Sequence, residues 1–181
     1  MGIKYELAPD LQEKINEISG LMFPHVKLDS VICLRSYGSG SRGTIARCHA
    51  LGKAMQLALG RKGFYVIEVI NPRFDRMSEI DKTKTLIHEL MHIPKSFGGG
   101  FIHHNIVHER NVEKMYQYYI NLKKRAGKFY TKEIENSKIV EDDSMIDDSL
   151  TPGQRVEREF FVVLDKPQTN FIIKKKKRFW F

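Results

Sequence analysis

The stretch TLIHELMHIPKSFGGGFIHHNIVH, residues 85–108, holds five of the seven histidines in this 181-residue chain. Histidine is costly to bury without a partner and is not a strong helix former. Five of them in 24 residues, with a glutamate beside the first and three glycines in the middle, therefore indicate a shared task. They are His88, His92, His103, His104 and His108.

The first half of this stretch has the pattern of a helix. Ser78 is followed three residues later by Asp81, a capping spacing, and Pro94 cannot continue a helix, so the pattern predicts a helix over 79–93. His88 and His92 then lie on one face, one turn apart, where two imidazoles can bind one metal ion. Glu89 is rotated by about 100° and lies beside the open position of the metal. This H-E-x-x-H spacing is typical of zinc peptidases.

A catalytic zinc usually has three protein ligands and one water, so a third ligand must come from elsewhere in the chain. The glycines at 98–100 allow the chain to turn back and bring a later histidine to the metal. His104, which follows His92 after eleven residues, is the favoured third ligand. The alternatives are His103, His108, Glu109 and Glu113. A histidine that does not bind the metal would serve as a neighbour of the ligands or bind the oxyanion.

The segments around this stretch predict an α+β domain. A glycine-rich segment at 37–43 is interpreted as a hairpin turn between the first two strands, and the near-continuous apolarity of 64–70 indicates a strand buried on both faces. The predicted strands are 30–36, 44–51 and 64–70, and the predicted helices are 9–19, 52–60, 79–93 and 105–125, the last ending at Gly127.

Residues 128–181 differ in composition from residues 1–127, so we expect a C-terminal extension to a domain spanning 1–127. An acidic linker, EDDSMIDDS at 141–149, precedes two predicted strands at 158–165 and 169–178, which together resemble a β-hairpin. The chain ends in KKKKRFWF at 174–181, within a net charge of +8. This tail is interpreted either as a solvated tail or as a surface for nucleic acid.

Composition narrows the class of protein. Apolar residues make up 41% of the chain, enough for a packed core, and no apolar run approaches the roughly 18 residues that cross a bilayer. The start lacks the apolar stretch of a signal peptide, so a cytoplasmic protein with no membrane partner is expected. The two cysteines, Cys33 and Cys48, form no disulfide framework and would bridge only if their strands were neighbours.

Five segments between about Ser30 and His104 resemble a metallopeptidase family of archaea and phages. They are RSYGSGSR, ARCHALGKAMQLALG, FYVIEV, RFDRMS and LIHELMHIPKSFGGG. The resemblance implies that His88, His92 and His104 bind zinc and that Glu89 is the catalytic base.

The layout is also similar to that of SprT-like zinc peptidases, some of which cleave proteins bound to DNA. It implies a minimal zincin-like domain, with a small twisted sheet of about three strands packed on an N-terminal helix and the H-E-x-x-H helix. The second strand, near 44–51, would form the edge of the sheet over the cleft, where an extended peptide can add as a strand. The His-Ile-Pro loop and the lack of a four-cysteine zinc module distinguish this chain from that group.

Two functions are consistent with these features. The first is a zinc-dependent metallopeptidase that hydrolyses peptide bonds in a peptide or protein substrate, through a zinc-bound water activated by Glu89. The alternative is a zinc-stabilised module that binds nucleic acid or protein without turnover. Glu89 favours the first function, because a structural zinc site has no use for a carboxylate at that position and is usually closed by four protein ligands.

Overall fold

A computed structural model of the chain describes residues 2–136, 157–162 and 173–178, with side chains described up to residue 127. The chain divides into two compact units, Met1–Asn136 and Ser137–Phe181. Within the described residues, none of the helices combines the length and apolarity needed to cross a membrane. The cytoplasmic location stays a prediction, as do the domain boundaries inferred from the sequence.

The N-terminal unit is built on a mixed four-stranded sheet with the strand order β1-β2-β4-β3. The central strands β2 and β4 are parallel, while β1 and β3 pair antiparallel at the two edges. The strands are β1 (Lys4–Leu7), β2 (Val31–Tyr37), β3 (Ala46–Ala50) and β4 (Tyr65–Ile70). The α+β class is confirmed, but the count of about three strands is wrong. The sequence did not reveal β1 because its alternation of polar and apolar residues is only four residues long, and all four residues are exposed.

Strand β4 lies between β2 and β3, so the interpretation of residues 37–43 as a hairpin turn is wrong. Residues 37–43 begin the connection from β2 to β3, which passes the place in the sheet that β4 occupies between them. Cys33 in β2 and Cys48 in β3 both pair with Ile67 in β4, so the two cysteines lie on strands that are not neighbours. Both thiols are free, and the bridge considered from the sequence does not form. The predicted burial of β4 is confirmed, since five of its six residues are buried.

The N-terminal unit contains four described helices, and two of them, the first and the third, pack on one face of the sheet. The helices are α1 (Pro9–Met22), α2 (Lys53–Ala58), α3 (Glu79–Met91) and α4 (Glu109–Asn136), and a 3-10 turn spans Leu28–Ser30. Helix α1 packs on β2 and α3 packs on β3, with α4 against both helices. The apolar stripe of α1, which consists of Leu11, Ile15 and Ile18, is buried in the same core as Ile67 and Leu86. This arrangement leaves the carboxyl-terminal half of α3 beside the free edge of β3.

Both ends of helix α4 differ from the expectation. Helix α4 begins at Glu109 rather than near residue 105, because the His103 carbonyl accepts hydrogen bonds from the Ile106 and Val107 amides in a separate turn. It then continues through Gly127 to Asn136. Glycine costs a helix interior only about 1 kcal/mol relative to alanine, so it does not have to end one.

The C-terminal unit contains two antiparallel strands, β5 (Glu157–Val162) and β6 (Ile173–Arg178). Their register pairs Glu157 with Arg178 and Val162 with Ile173. The two predicted strands of the extension are therefore confirmed. The acidic linker at 141–149 and the turn between the strands lie outside the described residues.

Candidate metal centre

Helix α3 presents two of the histidines. Its start is capped by Ser78, whose Oγ accepts a hydrogen bond from the Asp81 amide at 3.2 Å, as the sequence predicted. Burial of the opposite face of the helix, including Leu86 and Leu90, sets its rotation. His88 and His92 consequently share the face beside the cleft, with their Nε2 atoms 3.2 Å apart.

The glycine loop after Pro94 is packed against the sheet. The Tyr65 hydroxyl accepts a hydrogen bond from the Gly99 amide at 2.9 Å and donates one to the Gly100 carbonyl at 3.0 Å. Gly99 has a φ of 83°, and a Cβ there would collide with the Leu51 carbonyl and the Gln56 side chain. Glycine is required at this position because the loop adopts a left-handed conformation and lies directly on its neighbours.

His92 also fixes the next part of the loop. Its carbonyl accepts the Ile102 amide at 2.9 Å, and its Nδ1 donates to the Ile102 carbonyl at 2.6 Å. This second bond sets the tautomer of His92, so Nε2 carries the lone pair that can bind a metal. His104, two residues further on, places Nδ1 3.3 Å from the Val107 carbonyl, which likewise leaves Nε2 for a metal.

The structure thus brings His88, His92 and His104 together. One ligand atom from each lies within 4.8 Å of the others, so the group could hold a metal ion. His103 is exposed and lines the cleft beside this group. His108 is exposed just before α4 and lies outside the three-histidine group.

The two carboxylates considered as alternative ligands lie elsewhere in the cleft. Glu113 forms an ion pair with Lys84 at 2.6 Å and accepts a hydrogen bond from Gln117 at 2.8 Å. Glu109 is exposed at the start of α4 and lines the far half of the cleft. Neither belongs to the three-histidine group.

The surroundings of His88 and His92 favour their neutral forms. Burial lowers the pKa of His88 to about 4, and the nearby His92 and His104 lower it further in the same direction. Burial also lowers the pKa of His92. The hydrogen bond to Ile102 acts to raise this pKa, whereas the nearby His104 and His103 act to lower it. Neutral imidazole is the form that binds a metal, so the site is prepared for an ion at physiological pH.

Glu89 lies next to the histidines in a different environment. Its side chain is buried, and burial raises its pKa to about 7, although a hydrogen bond with the Cys48 backbone acts in the opposite direction. A carboxyl group with a pKa near neutrality can both accept and donate a proton under physiological conditions. The centre therefore combines three histidines, of which burial keeps His88 and His92 neutral, with a proton acceptor beside them.

A cleft runs along the free edge of β3 past these residues. Thr44, Ala46, His88 and Glu89 line both halves of it. We call the half lined by His103, His104 and residues 47–49 of β3 the near half. The other half, which lies against the starts of α3 and α4, is the far half. The expected position of the second strand, at the sheet edge over the cleft, is confirmed.

The sequence did not identify the residues that support this centre. Tyr65 and Gln56 hold the glycine loop, and the Cys48 backbone contacts Glu89. Tyr65 carries a weak signal, since it is a hydroxyl-bearing residue at the start of an otherwise apolar buried strand. The Cys48 contact carries none, because a backbone group is the same at every residue.

Comparison with known proteins places the chain in a family. The model of the family described as "Putative phage metallopeptidase" matches residues 3–141 and so covers most of the N-terminal unit and all three histidines. No curated protein and no solved structure matches the chain. The expected archaeal occurrence and the likeness to SprT-like peptidases stay predictions. With three histidines able to hold a metal ion and a family match that spans them, the chain belongs to the phage metallopeptidase family.

Proposed function

We propose that the protein is a zinc-dependent peptidase in which His88, His92 and His104 hold the zinc and Glu89 is the general base. The observation that carries this proposal is the position of Glu89. It is a buried carboxylate with a raised pKa, directly beside the three histidines and open to a cleft.

The donor set suits zinc. Two nitrogen ligands at about 2.05 Å from a tetrahedral zinc stand roughly 3.3 Å apart, and the Nε2 atoms of His88 and His92 are 3.2 Å apart. Three histidines leave a fourth position for water or substrate, as in catalytic rather than structural sites. A zinc ion held here would lower the pKa of a bound water to about 7 and polarise the peptide carbonyl.

Glu89 performs the proton transfers in this proposal. Its carboxylate accepts a proton from the attacking water and returns it to the amine that leaves. The contact with the Cys48 backbone holds the carboxylate against β3, where the substrate backbone would lie. His103, which also lines the near half of the cleft, would donate a hydrogen bond to the oxyanion.

The edge of β3 provides a place for the substrate. The Ile45 carbonyl accepts a hydrogen bond from the Ile70 amide of β4, and the Leu51 amide donates to the carbonyl of Phe64, the residue before β4. Both bonds are 2.8 Å long and fix the alternation of the strand. Ala46, Cys48 and Ala50 therefore direct their backbone groups away from β4 and along the cleft. An extended peptide can pair with these groups as an added strand.

The alternative is a zinc-stabilised module that binds nucleic acid through the basic tail or binds protein, without turnover. The net charge of +8 favours contact with an acidic partner. Among residues 2–127, however, the metal-binding group contains three ligands rather than the four of a closed structural site. Glu89 also has no purpose in such a module, so hydrolysis remains our proposal.

The test compares the wild type with Glu89→Gln. Both proteins are loaded with zinc, their zinc content is measured, and each is incubated with a degenerate library of ten-residue peptides. We expect equal zinc content and a cleavage rate that is about 100- to 10,000-fold lower in the variant, because the amide cannot accept the proton. Glu13→Gln, which makes the same change on the exposed face of α1, is the control and should match the wild type. Equal zinc-dependent cleavage by Glu89→Gln and the wild type would contradict the role of Glu89.

A further inference from the structure

We propose that Arg47 and His49, held in place by the buried Glu68, form a subsite that selects acidic side chains in the peptide. The inference rests on the proposed function, because it assigns a substrate class to the same cleft. It arises from three residues that play no part in the proton transfers described above.

The strand register places these residues on one face of the sheet. Arg47 lies opposite Glu68, and His49 lies opposite Val66, so all four side chains point away from the face that carries α1 and α3. Cys48, between the two basic residues, points to the other face and contacts Glu89 through its backbone. Arg47 and His49 therefore flank, along the edge strand, the position at which the base lies.

Glu68 is an ionised anchor for the two basic residues. It is 1% exposed, and its Oε2 lies 2.7 Å from His49 Nε2 and 3.7 Å from an Arg47 nitrogen. Burial acts to raise the pKa of Glu68. The adjacent Ser36 hydroxyl, the His49 imidazole and the Arg47 guanidinium act in the opposite direction, and the pKa lies below its ordinary value of 4.5. A buried carboxylate in this state holds the two basic groups at fixed positions.

The two basic side chains remain accessible from the cleft. The side chain of Arg47 is 34% exposed and that of His49 is 51% exposed, and both line the near half of the cleft. Apart from Glu68, Arg47 donates to the Ser41 hydroxyl at 2.8 Å. A guanidinium group has five N–H donors, so these two contacts leave donors for a carboxylate of the substrate.

This geometry predicts the spacing of the preference. In a peptide added to β3, the residues opposite Arg47 and His49 are two positions apart and share their face of the sheet. The residue between them points towards Glu89 and the histidines. We therefore expect acidic residues at two alternate positions that flank the residue nearest the metal centre, and not further along towards the far half of the cleft. The far half of the cleft carries Asp81, Glu109 and Glu113 against the single cation of Lys84, which disfavours acidic residues there.

The experiment measures binding and cleavage separately. A degenerate library of ten-residue peptides is first bound to zinc-loaded Glu89→Gln, and bound peptides are identified by mass spectrometry. The wild type then cleaves the same library, and the cleaved sequences are compared. We expect enrichment of glutamate or aspartate at two alternate positions in both sets. From the enriched sequence, matched peptides are made with Glu, Gln or Lys at each of these positions.

Arg47→Ala should raise KM for the Glu peptide and leave kcat nearly unchanged, so that the preference for Glu over Gln is lost. In the wild type we expect KM to be about fivefold lower for the Glu peptide than for the Gln peptide at each position, which is the effect of a partly exposed ion pair. Arg47→Lys should restore part of it. Glu68→Gln should reduce the preference through misplaced basic groups, again in KM rather than kcat. Arg61→Ala is the control, since Arg61 lies over Phe64 and is outside the residues that line the cleft.

The outcomes distinguish the subsite from the peptidase. Cleavage that depends on zinc and Glu89 but shows no acidic preference overturns the subsite and leaves the proposed function intact. Binding of acidic peptides that Arg47→Ala abolishes, without any cleavage by the wild type, supports the subsite and overturns the peptidase. A preference that survives in both Arg47→Ala and Glu68→Gln also overturns the subsite, because other residues must then create it.

Discussion

Two glutamates lie buried on opposite sides of the sheet edge, and their carboxyl groups behave in opposite ways. Glu68 is 1% exposed and its pKa lies below the ordinary value, whereas Glu89 is 6% exposed and its pKa is raised to about 7. Burial by itself acts to raise the pKa of both carboxyl groups. The difference comes from their neighbours. Ser36, His49 and Arg47 lie around Glu68 and lower its pKa, whereas a backbone contact at Cys48 is what opposes the effect of burial on Glu89.

The comparison shows that burial alone does not assign a role to a carboxylate. A buried carboxylate with cationic neighbours stays ionised and serves to position them. A buried carboxylate without such neighbours is ready to take up a proton, which is what a general base requires. The two glutamates are predicted from this difference to respond differently to the changes that follow.

The largest effect is expected from removing a metal ligand on the Glu89 side. His104→Ala should lower zinc affinity by several hundredfold, since apparent zinc-binding energies of roughly 10–16 kcal/mol are shared among about four ligands. His103→Ala and His108→Ala are matched controls from the same segment and should retain affinity close to that of the wild type. Competition with a chromogenic chelator measures all three. Loss of zinc in His108→Ala alone would show that the wrong histidine has been assigned.

The second prediction concerns stability of the metal-free protein against pH. The folded state holds the Glu89 proton more tightly than the unfolded chain does, so this carboxyl favours folding most below pH 4.5. Its contribution is lost as the pH rises to about 7. Relative to Glu89→Gln, the wild type should therefore lose up to about 3 kcal/mol of unfolding free energy over this range.

Glu68 should show the opposite sign. Its pKa is lowered on folding, so its contribution is present above pH 4.5 and is lost as the pH falls through the folded value. Glu68→Gln should accordingly be less stable than the wild type at pH 7, with a difference that shrinks in acid. Urea denaturation in the presence of a chelator measures both variants, and the histidines cancel because all three proteins share them. Parallel pH curves for the three proteins would refute the contrast.

A smaller effect is expected from the glycine loop, which supports the Glu89 side of the sheet edge. Gly99→Ala should lower the free energy of unfolding by about 1–3 kcal/mol, because its φ is positive and its Cβ would meet the Leu51 carbonyl. It should also weaken zinc binding, since this loop carries His104. Gly98→Ala is the matched control, because a Cβ there makes only ordinary contacts. Equal melting temperatures for both variants would show that the loop adapts.

The smallest effect on the metal centre is expected from deleting residues 174–181. Glu68, Glu89 and the three histidines all belong to the N-terminal unit, so we expect zinc content to stay at its wild-type level. If the basic tail binds nucleic acid, the deletion should weaken that binding and reduce its salt dependence, as measured by fluorescence anisotropy at several salt concentrations. A drop in zinc content on deletion would instead tie the tail to the metal centre.

Much of the metal side of the cleft could be predicted from local sequence patterns. The spacing of His88 and His92 is a helical pattern, and the Ser78 cap and Pro94 define where the helix can lie. Apolar runs identified β4 as a buried central strand. These predictions succeeded because each depends on residues a few positions apart, where the backbone geometry of a helix or strand is known.

The position of the third histidine and the environment of each glutamate required the folded chain. The spacing after His92 favoured His104, but the turn at 103–107 and the bond from His92 to Ile102 are what bring it to the group. The order of the strands could also not be predicted from the sequence, because β1 is short and exposed and because β4 lies between β2 and β3 in the sheet.

By itself, the sequence determined that one helix carries two histidines and a glutamate in the order of a metallopeptidase. The tertiary structure alone decided that Glu68 would lie beside Arg47 and His49 and that Glu89 would not. Strand pairing sets Arg47 opposite Glu68, and helix packing sets Glu89 against the Cys48 backbone. Both contacts join residues about 20 or more positions apart in the chain. A pKa depends on distances in space, and those distances exist only once the sheet has formed.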